Sequence, residues 1–493
     1  MTLPSLLLQS PNAFDWQTVL SAVAILHYAL GIVTLLGMIF WERREQTSTV
    51  MWGFILFLIP FGFLIYLIFG KGPSFGKRRK TFNALYKEGA YLHYLRKQFK
   101  EVSEEEIASD ELSLVKFNIV SNYSVLTVNN RAEIFTDVEA LYERMLADIS
   151  EAKEFVNVLY FIIQPDEWGK RLRDALAAKA AEGVRVRLVY DQVGSRKIRR
   201  RFFRPLVKAG GAVEAFFPSH LKFINRNINY RNHRKIVVVD NRIGYTGGAN
   251  VGREYTGEHK KIKPWRDTHL RIEGEAVAML NFRFLQDYHF AAKKERDFEP
   301  YEPELVPRPA EDRLFMQIVA DGPDRPENAI EEAYIKAIYA AKKRIWLQTP
   351  YLIPDEKFLT AVKCAAKSGV DVRIMIPNVP DKPYAYYCTL SYANEFHAAG
   401  VRILRYKGFL HAKTLLIDDM ISSVGTFNLD NRSFKLHFEI TAFVYDLAFN
   451  ARMAEIFAKD EKNSLRLTDA EILDRSLGQR FKERLMRMLS PLM

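Results

Sequence analysis

The first 70 residues are dominated by two uncharged apolar runs. Residues 19–40 and residues 50–69 contain no Asp, Glu, Lys or Arg, and each run is long enough to cross the hydrocarbon core of a bilayer as a helix. No basic segment precedes the first run, which argues against a cleaved signal peptide. Because only a short link separates them, the two runs predict a transmembrane hairpin and a multi-pass protein of the cell membrane.

Charges beside the two runs predict the orientation of the hairpin. Two arginines lie in the link, against five basic residues after the second run. These five are Lys71, Lys77, Arg78, Arg79 and Lys80. Basic residues prefer the cytoplasmic side, so the rest of the chain is predicted to lie in the cytoplasm. Pro60 with Gly62 predicts a kink; His27 is interpreted as a neutral structural residue, with a functional role as the alternative.

From residue 111 onward, short apolar segments alternate with amphipathic ones. Residues 152–191 have the pattern strand, helix, strand, and residues 341–377 repeat it in the same order. A repeat unit this long is a duplicated domain, and alternating strands and helices favour mixed or parallel sheets flanked by helices. The predicted fold class is therefore α/β, with two like domains related by a pseudo-twofold axis.

These patterns divide the chain into four predicted segments. They are the hairpin (residues 1–70), a basic connector (71–110), a first domain (111–302) and a second domain (310–493). A proline-rich stretch with Pro303, Pro307 and Pro309 is the predicted linker between the two domains.

One motif occurs once in each predicted domain, and both copies read H-x-K-x4-D-x6-G-[GT]-x-N. The first copy contains His233, Lys235, Asp240 and Asn250, and the second contains His411, Lys413, Asp418 and Asn428. A single His-x-Lys pair carries little information. Two copies with the same internal spacing, at the same place in a longer repeat, strongly indicate a shared function.

The spacing within each copy predicts its local structure. The apolar residues between Lys and Asp predict a buried strand, at residues 235–239 and 413–417. A strand places residues two apart on the same face, so His and Lys lie together, and the Asp begins a turn. Each copy then offers an imidazole, an ammonium group and a carboxamide, a set that suits a phosphodiester.

The formal net charge of +12 predicts an anionic partner, either lipid headgroups or nucleic acid. The densest basic run, residues 196–204, has two interpretations: a headgroup contact with Phe202 and Phe203 in the bilayer interface, or a solvated helix. Residues 481–493 are either a surface-seeking segment or a last helix on the core. Two cysteines are too few for a disulfide framework and fit a reducing compartment.

The paired motif resembles the HKD motif of the phospholipase D superfamily. Residues 231–235, 265–270 and 431–434 resemble the flanking sequences of bacterial cardiolipin synthases, and the resemblance covers nearly the whole chain. It implies an enzyme of the bacterial inner membrane that condenses two phosphatidylglycerol molecules into cardiolipin and glycerol through a phosphohistidine. The alternatives are phospholipase D hydrolysis of phospholipids and, less favoured because of the hairpin, a superfamily nuclease.

The resemblance also implies roles for individual residues. His233 is expected to be the nucleophile and His411 the acid and then the base, with the reverse order left open. Asp267 and Glu439 match the acidic positions that follow each motif in the family, and we expect them to orient the imidazoles. The lysine and the asparagine of each copy are expected to stabilise charge on the transferring group.

Alternative roles are left open at three further positions. Asp240 and Asp418 are counted with the catalytic set, with a role in the turn as the alternative. The family usually has Asn where this chain has His437, which leaves the role of His437 open.

A lysine beside each histidine would repel a cation, and no other ligands stand at metal spacing, so no metal or other cofactor is predicted. The expected partners are phosphatidylglycerol and the membrane, without nucleic acid; the oligomeric state is left open.

Overall fold

The computed structural model describes residues 16–41, 46–70, 109–218, 229–258, 262–292, 313–325 and 327–493. The predicted basic connector lies outside these residues except for its last two positions. The five basic residues of the orientation argument, the linker prolines and most of the link between the apolar runs also lie outside them.

The N-terminal segment contains one long helix and one interrupted helix. The elements are α1 (Trp16–Trp41), α2 (Gln46–Leu58), α3 (Gly62–Ile65) and a π-helical turn (Tyr66–Gly70). The second helix breaks at Pro60, which cannot donate a helical hydrogen bond, and Phe61 has a left-handed backbone. The predicted kink is therefore confirmed. Within the described residues only α1 is long and apolar enough to cross a membrane.

The first half of the remaining chain alternates strands with helices, as predicted. Its elements are α4 (Ser109–Asn122), β1 (Leu126–Phe135), α5 (Val138–Ser150), β2 (Phe155–Tyr160), α6 (Glu167–Ala181), β3 (Arg185–Asp191), α7 (Arg204–Lys208), β4 (Ala212–Phe216), β5 (Arg231–Asn232), β6 (Ile236–Val239), β7 (Ile243–Gly247), β8 (Trp265–Arg266), β9 (His269–Gly274) and α8 (Ala276–Ala292). Asp137 and Asp166 cap α5 and α6 by accepting backbone N–H groups of the first turn.

The second half repeats this order. Its elements are β10 (Leu314–Asp321), α9 (Ala329–Ala340), β11 (Arg344–Gln348), β12 (Leu352–Ile353), α10 (Glu356–Lys367), β13 (Asp371–Pro377), α11 (Pro383–Ala398), β14 (Arg402–Tyr406), β15 (Phe409–Leu410), β16 (Thr414–Ile417), β17 (Ile421–Gly425), β18 (Leu429–Asp430), α12 (Asn431–Lys435), β19 (His437–Tyr445), α13 (Leu447–Lys462), β20 (Ser464–Arg466), α14 (Asp469–Leu473) and α15 (Leu477–Met488). Asp355 and Asp446 cap α10 and α13 in the same way.

The two halves share one mixed sheet with an internal symmetry. Among the described strands the order is β20-β14-β13-β11-β16-β17-β19-β10-β1-β9-β7-β6-β2-β3-β4. The order outward from β10 in the second half matches the order outward from β1 in the first. The antiparallel pair of β1 and β10 joins the halves at the centre, as a pseudo-twofold duplication requires.

Helices cover both faces of this sheet, which explains why a central strand such as β6 is apolar throughout. Ile236 and Val238 of β6 pack on one side together with α8, whereas Val237 and Val239 pack on the other side with α5 and α6. Both faces are therefore buried, and the alternation expected of a half-exposed strand is absent from β6.

Two packing details differ from simple expectation. Helix α4 precedes the first strand, yet Leu112 and Val115 pack in the core of the second half. In the basic run, Phe203 is buried against Tyr190, and Phe202 packs partly on the same core. The interpretation that these phenylalanines enter a bilayer interface is therefore wrong for Phe203, which the first half covers, whereas Phe202 is half-buried.

Candidate active site

Each motif histidine is fixed by a strand of the other half. β5 runs directly into His233 and pairs in parallel with the start of β19, and the His233 N–H donates to the Phe438 carbonyl at 2.9 Å. β15 runs into His411 and pairs in parallel with β8, where the His411 N–H donates to the Arg266 carbonyl at 2.7 Å. The two motif copies are thus held in one place by reciprocal strand pairing.

The two predicted orienting carboxylates also cross between the halves. Nδ1 of His233 lies 2.9 Å from Oε1 and 3.0 Å from Oε2 of Glu439, and Nδ1 of His411 lies 2.7 Å from Oδ2 of Asp267. Because a carboxylate only accepts, each Nδ1 carries the proton and each Nε2 keeps a lone pair. Each imidazole is therefore set up as a nucleophile or base through Nε2.

The residues around each carboxylate match the size of its side chain. Glu439 accepts hydrogen bonds from the Ser433 hydroxyl at 2.9 Å and from the Thr426 hydroxyl. At the position equivalent to Thr426 the first motif has Gly248, where a Cβ would overlap Oδ1 of Asp267. The motif position that holds Gly in one copy and Thr in the other thus differs because Gly248 leaves space for Asp267, whereas Thr426 donates to Glu439.

The motif lysines are buried beside their histidines. Lys235 Nζ donates to the His233 carbonyl at 2.8 Å, and Lys413 Nζ donates to the His411 carbonyl. Both lysine side chains are almost fully buried. The predicted His–Lys proximity is confirmed, although β6 and β16 begin one residue after the lysines rather than at them.

Burial lowers the pKa values of these four groups, and neighbouring positive charge adds to the effect at His233, His411 and Lys235. Burial, aided by Lys235 and Lys413, lowers the pKa of His233 well below its usual range. Burial and the charge of Lys413, with a smaller contribution from Lys235, lower the pKa of His411 to about 4. Burial lowers the pKa of Lys235 to about 7 and that of Lys413 to about 8. Each lysine acts on the histidine of the other copy, so the four groups form one electrostatic unit.

The motif aspartates lie at the opposite end of their strands, in the turns. The Asp240 carboxylate accepts the N–H groups of residues 153–155, and Asp418 accepts those of residues 342–344. Both residues have left-handed backbone, with φ of 49° and 48°, which Asp tolerates. Their contacts correct the expectation that they are catalytic and favour the alternative, a role in the turn.

The motif asparagines are buried. Oδ1 of Asn250 accepts the Ile162 N–H at 3.3 Å. Asn428 is also buried, and its Oδ1 has no hydrogen-bond partner within the described residues. Their predicted contact with the transferring group remains a prediction.

His437 lies next to the reacting groups. Its ring centroid is 5.6 Å from that of His233, its Nδ1 is 3.7 Å from Glu439 Oε1, and its Nε2 accepts from Arg432 at 3.4 Å. Burial lowers its pKa to about 3, so it is neutral at physiological pH.

His233, His437 and Glu439 also place potential metal-binding atoms within 4.8 Å of one another. The charges of Lys235 and Arg432 act on these histidines, and positive charge there disfavours a cation.

Aromatic side chains that the motif does not include enclose the imidazoles. The Phe161 ring lies 4.9 Å from that of His233, and the Trp265 and Phe409 rings lie 5.2 and 5.9 Å from that of His411. These residues, like Ser433, follow no repeated spacing. For Trp265 and Ser433, a role could have been suggested by their positions in residues 265–270 and 431–434, the segments that resemble the flanking sequences of the family.

Comparisons with known proteins agree with this geometry. Residues 145–262 and 334–461 match the family described as "Cardiolipin synthase, PLD-like domain", and residues 29–71 match the family described as "Phospholipase D-nuclease N-terminal". The chain is 41% identical to the major cardiolipin synthase ClsA of Bacillus subtilis, over 96% of this chain and 99% of that protein. It is 40% identical to a cardiolipin synthase of Staphylococcus aureus, over 96% and 97% of the two chains.

A solved structure supports the fold. The crystal structure of phosphatidylserine synthase from Haemophilus influenzae matches with a TM-score of 0.59 at 14% identity, over 77% of this chain and all of that one. At this identity the match shows the fold alone, whereas the nearly full-length relatives show the family. The chain belongs to the cardiolipin synthase family of the phospholipase D superfamily.

Proposed function

We propose that this enzyme transfers a phosphatidyl group from one phosphatidylglycerol to the hydroxyl of another, giving cardiolipin and glycerol. The observation that carries the proposal is the crossed pairing of each motif histidine with a carboxylate of the other half. It makes one site with two imidazoles, which is what a double displacement at a phosphodiester requires. Family membership supports a phospholipid substrate.

In the first displacement, Nε2 of His233 attacks phosphorus and the bond to the glycerol oxygen breaks. His411, protonated at Nε2, gives its proton to the departing alkoxide, so that free glycerol leaves and a phosphohistidine remains. In the second displacement, neutral His411 takes the proton of the acceptor hydroxyl, whose oxygen attacks phosphorus and releases His233. The reverse assignment of the two histidines uses the same geometry.

The surrounding charges suit this sequence of steps. The lowered pKa of each histidine leaves the free site with neutral imidazoles, as a nucleophile needs. Binding of an anionic phosphodiester favours protonation of the groups around it, which supplies the acid. We expect Lys235 and Lys413, with Asn250 and Asn428, to stabilise charge on the transferring group.

The proposed setting is the cytoplasmic face of a bacterial cell membrane, with the enzyme anchored by a two-helix hairpin. Helix α1 supports the anchor, and the basic residues that follow the second apolar run support the orientation. Residues 111–302 and 310–493 are the proposed catalytic domains. Anchoring raises the local concentration of both lipid substrates.

The product distribution tests this function. Detergent-purified full-length enzyme is incubated with phosphatidylglycerol labelled in its headgroup and acyl chains, in EDTA and without nucleotide, beside His233→Ala and His411→Ala. Cardiolipin with an equal amount of glycerol, from the unaltered enzyme alone, is the expected result. Phosphatidic acid as the main product would instead assign a hydrolase. No lipid turnover, with cleavage of DNA, would assign a nuclease.

A further inference from the structure

The last long helix, α15, presents an apolar stripe to solvent. Leu477, Phe481 and Met488 are 84%, 66% and 78% exposed, and Leu485 adds to the same line. At about 100° per residue these four side chains fall within an arc of about 80°. Exposed large apolar side chains in a contiguous group mark a surface that another phase or molecule covers.

The opposite side of α15 attaches the helix to the protein through both polar and apolar contacts. Glu483 is buried and accepts hydrogen bonds from Asn394 at 3.2 Å, from Gln479 at 3.0 Å and from Arg475. An amphipathic helix normally buries its apolar face on the core. Here the attachment is made by Glu483 and by Met486, which packs on the core of the second half, so the outward stripe does not serve it.

Exposed cations flank the apolar stripe. Arg484 adjoins it on one side and Lys482 on the other, and both side chains are exposed. An apolar line bordered by Lys and Arg is the pattern of a helix that lies in a membrane interface, with its cations at the level of anionic headgroups. A protein partner would not require this border, so the charges favour a bilayer.

The stripe belongs to a part of the second half that reaches the active site. Helix α15 packs along α11, where Lys482 Nζ lies 5.5 Å from the ring centroid of Tyr387. Lys382 immediately precedes α11, and its charge acts on His233. One helix therefore connects this face to the site.

We propose that the outward face of α15 docks on an anionic bilayer surface, with Leu477, Phe481 and Met488 inserted at the level of the headgroups and upper acyl chains. The docked helix orients the catalytic part of the chain on the membrane. This role goes beyond anchoring by the N-terminal hairpin and does not depend on which phosphodiester the site processes.

Depth-dependent quenching tests the docking. A fluorescent probe is attached at Phe481→Cys in the full chain, with the exposed Cys364 changed to Ser and Cys388 left buried. The protein is placed, one chain per particle, in nanodiscs of phosphatidylglycerol and phosphatidylcholine with nitroxide-labelled lipid. Leu447→Cys is the matched control, because Leu447 is an exposed leucine of another helix in the same half. We expect at least about threefold stronger quenching at position 481 than at position 447.

Each alternative outcome overturns the proposal. Equal quenching at the two positions would show that α15 stays in water. Quenching that appears only when two chains share a particle would assign the stripe to a second copy of the chain. Quenching at position 481 that is as strong in pure phosphatidylcholine would contradict the role of the cations. The measurement needs no turnover, so failure of the proposed reaction leaves it interpretable.

A second variant connects docking with activity. Leu477→Glu together with Phe481→Glu should lower the turnover of long-chain lipid in nanodiscs by about fivefold or more, while turnover of a short-chain, monomeric phosphodiester stays unchanged. Leu447→Glu should change neither the turnover of the long-chain lipid nor that of the short-chain phosphodiester. An equal loss on both substrates would indicate damage to the fold rather than lost docking.

Discussion

Replacing Glu439 by Gln removes one negative charge at the centre of the proposed site and changes little else in shape. The carboxylate accepts from Nδ1 of His233 at 2.9 Å and from two hydroxyl groups. Gln keeps one accepting oxygen, and its NH₂ group can only donate. If the NH₂ group faces His233, the imidazole must accept at Nδ1 and carry its proton on Nε2. The protonated Nε2 has no lone pair with which to attack phosphorus.

The contacts of Glu439 set the size of the expected loss. A hydrogen bond to a charged group contributes about 1.5–3 kcal/mol, which corresponds to about 10- to 100-fold in rate. An inverted tautomer costs more; the equivalent change in a serine protease triad lowers turnover by about 10⁴-fold. We therefore expect Glu439→Gln to lower the rate by about 10²- to 10⁴-fold, and Ser433→Ala, which leaves the His–Glu contact intact, by about 10-fold.

Initial rates of cardiolipin formation, at equal amounts of folded enzyme judged by thermal unfolding, give the comparison. A Glu439→Gln enzyme that keeps more than about one tenth of the rate would refute the pairing of His233 with Glu439 as a functional contact.

Three further predictions concern the same site. Gly248→Ala should displace Asp267 and lower turnover strongly. Gly478→Ala, at an open helix position, should leave turnover unchanged. Equal rates of the two variants would contradict the steric reasoning. Asp240→Asn should lower the unfolding free energy by about 1–3 kcal/mol and leave the rate per folded molecule unchanged. Thermal unfolding and initial rates measure the two effects. A rate loss like that of His233→Ala would restore Asp240 to the catalytic set. Inorganic phosphate should bind with proton uptake between about pH 7 and 9, because the pKa values of the buried motif lysines, about 7 and 8 in the free site, rise beside an anion. The affinity for phosphate should therefore fall as the pH rises. Calorimetry in two buffers of different ionisation enthalpy measures the uptake, and a result of no uptake would contradict the prediction.

Much of the fold could be predicted from the sequence because the signals are local. The apolar residues between Lys235 and Asp240 specify a buried strand, and the turn formers after them specify the hairpin of β6 and β7. The same signals recur around Lys413 and Asp418, so the duplicated architecture follows. The kink at Pro60 is equally local, since it depends on the missing N–H of one residue.

The crossed pairing could not be predicted from these signals. His233 and Glu439 are 206 residues apart, and His411 and Asp267 are 144 apart. Which carboxylate meets which histidine depends on the parallel pairing of β5 with β19 and of β15 with β8. Those strands have two residues of contact each, too few to leave a pattern in the sequence. The packing of α4 on the second half could not be predicted either, because it also joins residues that are far apart in the sequence.

The stereochemistry at phosphorus tests the central claim, two displacements by paired histidines in one site, most directly. A phosphatidylglycerol donor with a chiral phosphorus, labelled with sulfur and an oxygen isotope, is converted to cardiolipin by the full-length enzyme, and the configuration of the product is assigned by phosphorus NMR. Each in-line displacement inverts the centre, so attack by one histidine followed by attack of the acceptor hydroxyl predicts overall retention. Inversion would mean that the acceptor attacks the donor directly, and would contradict the phosphohistidine account.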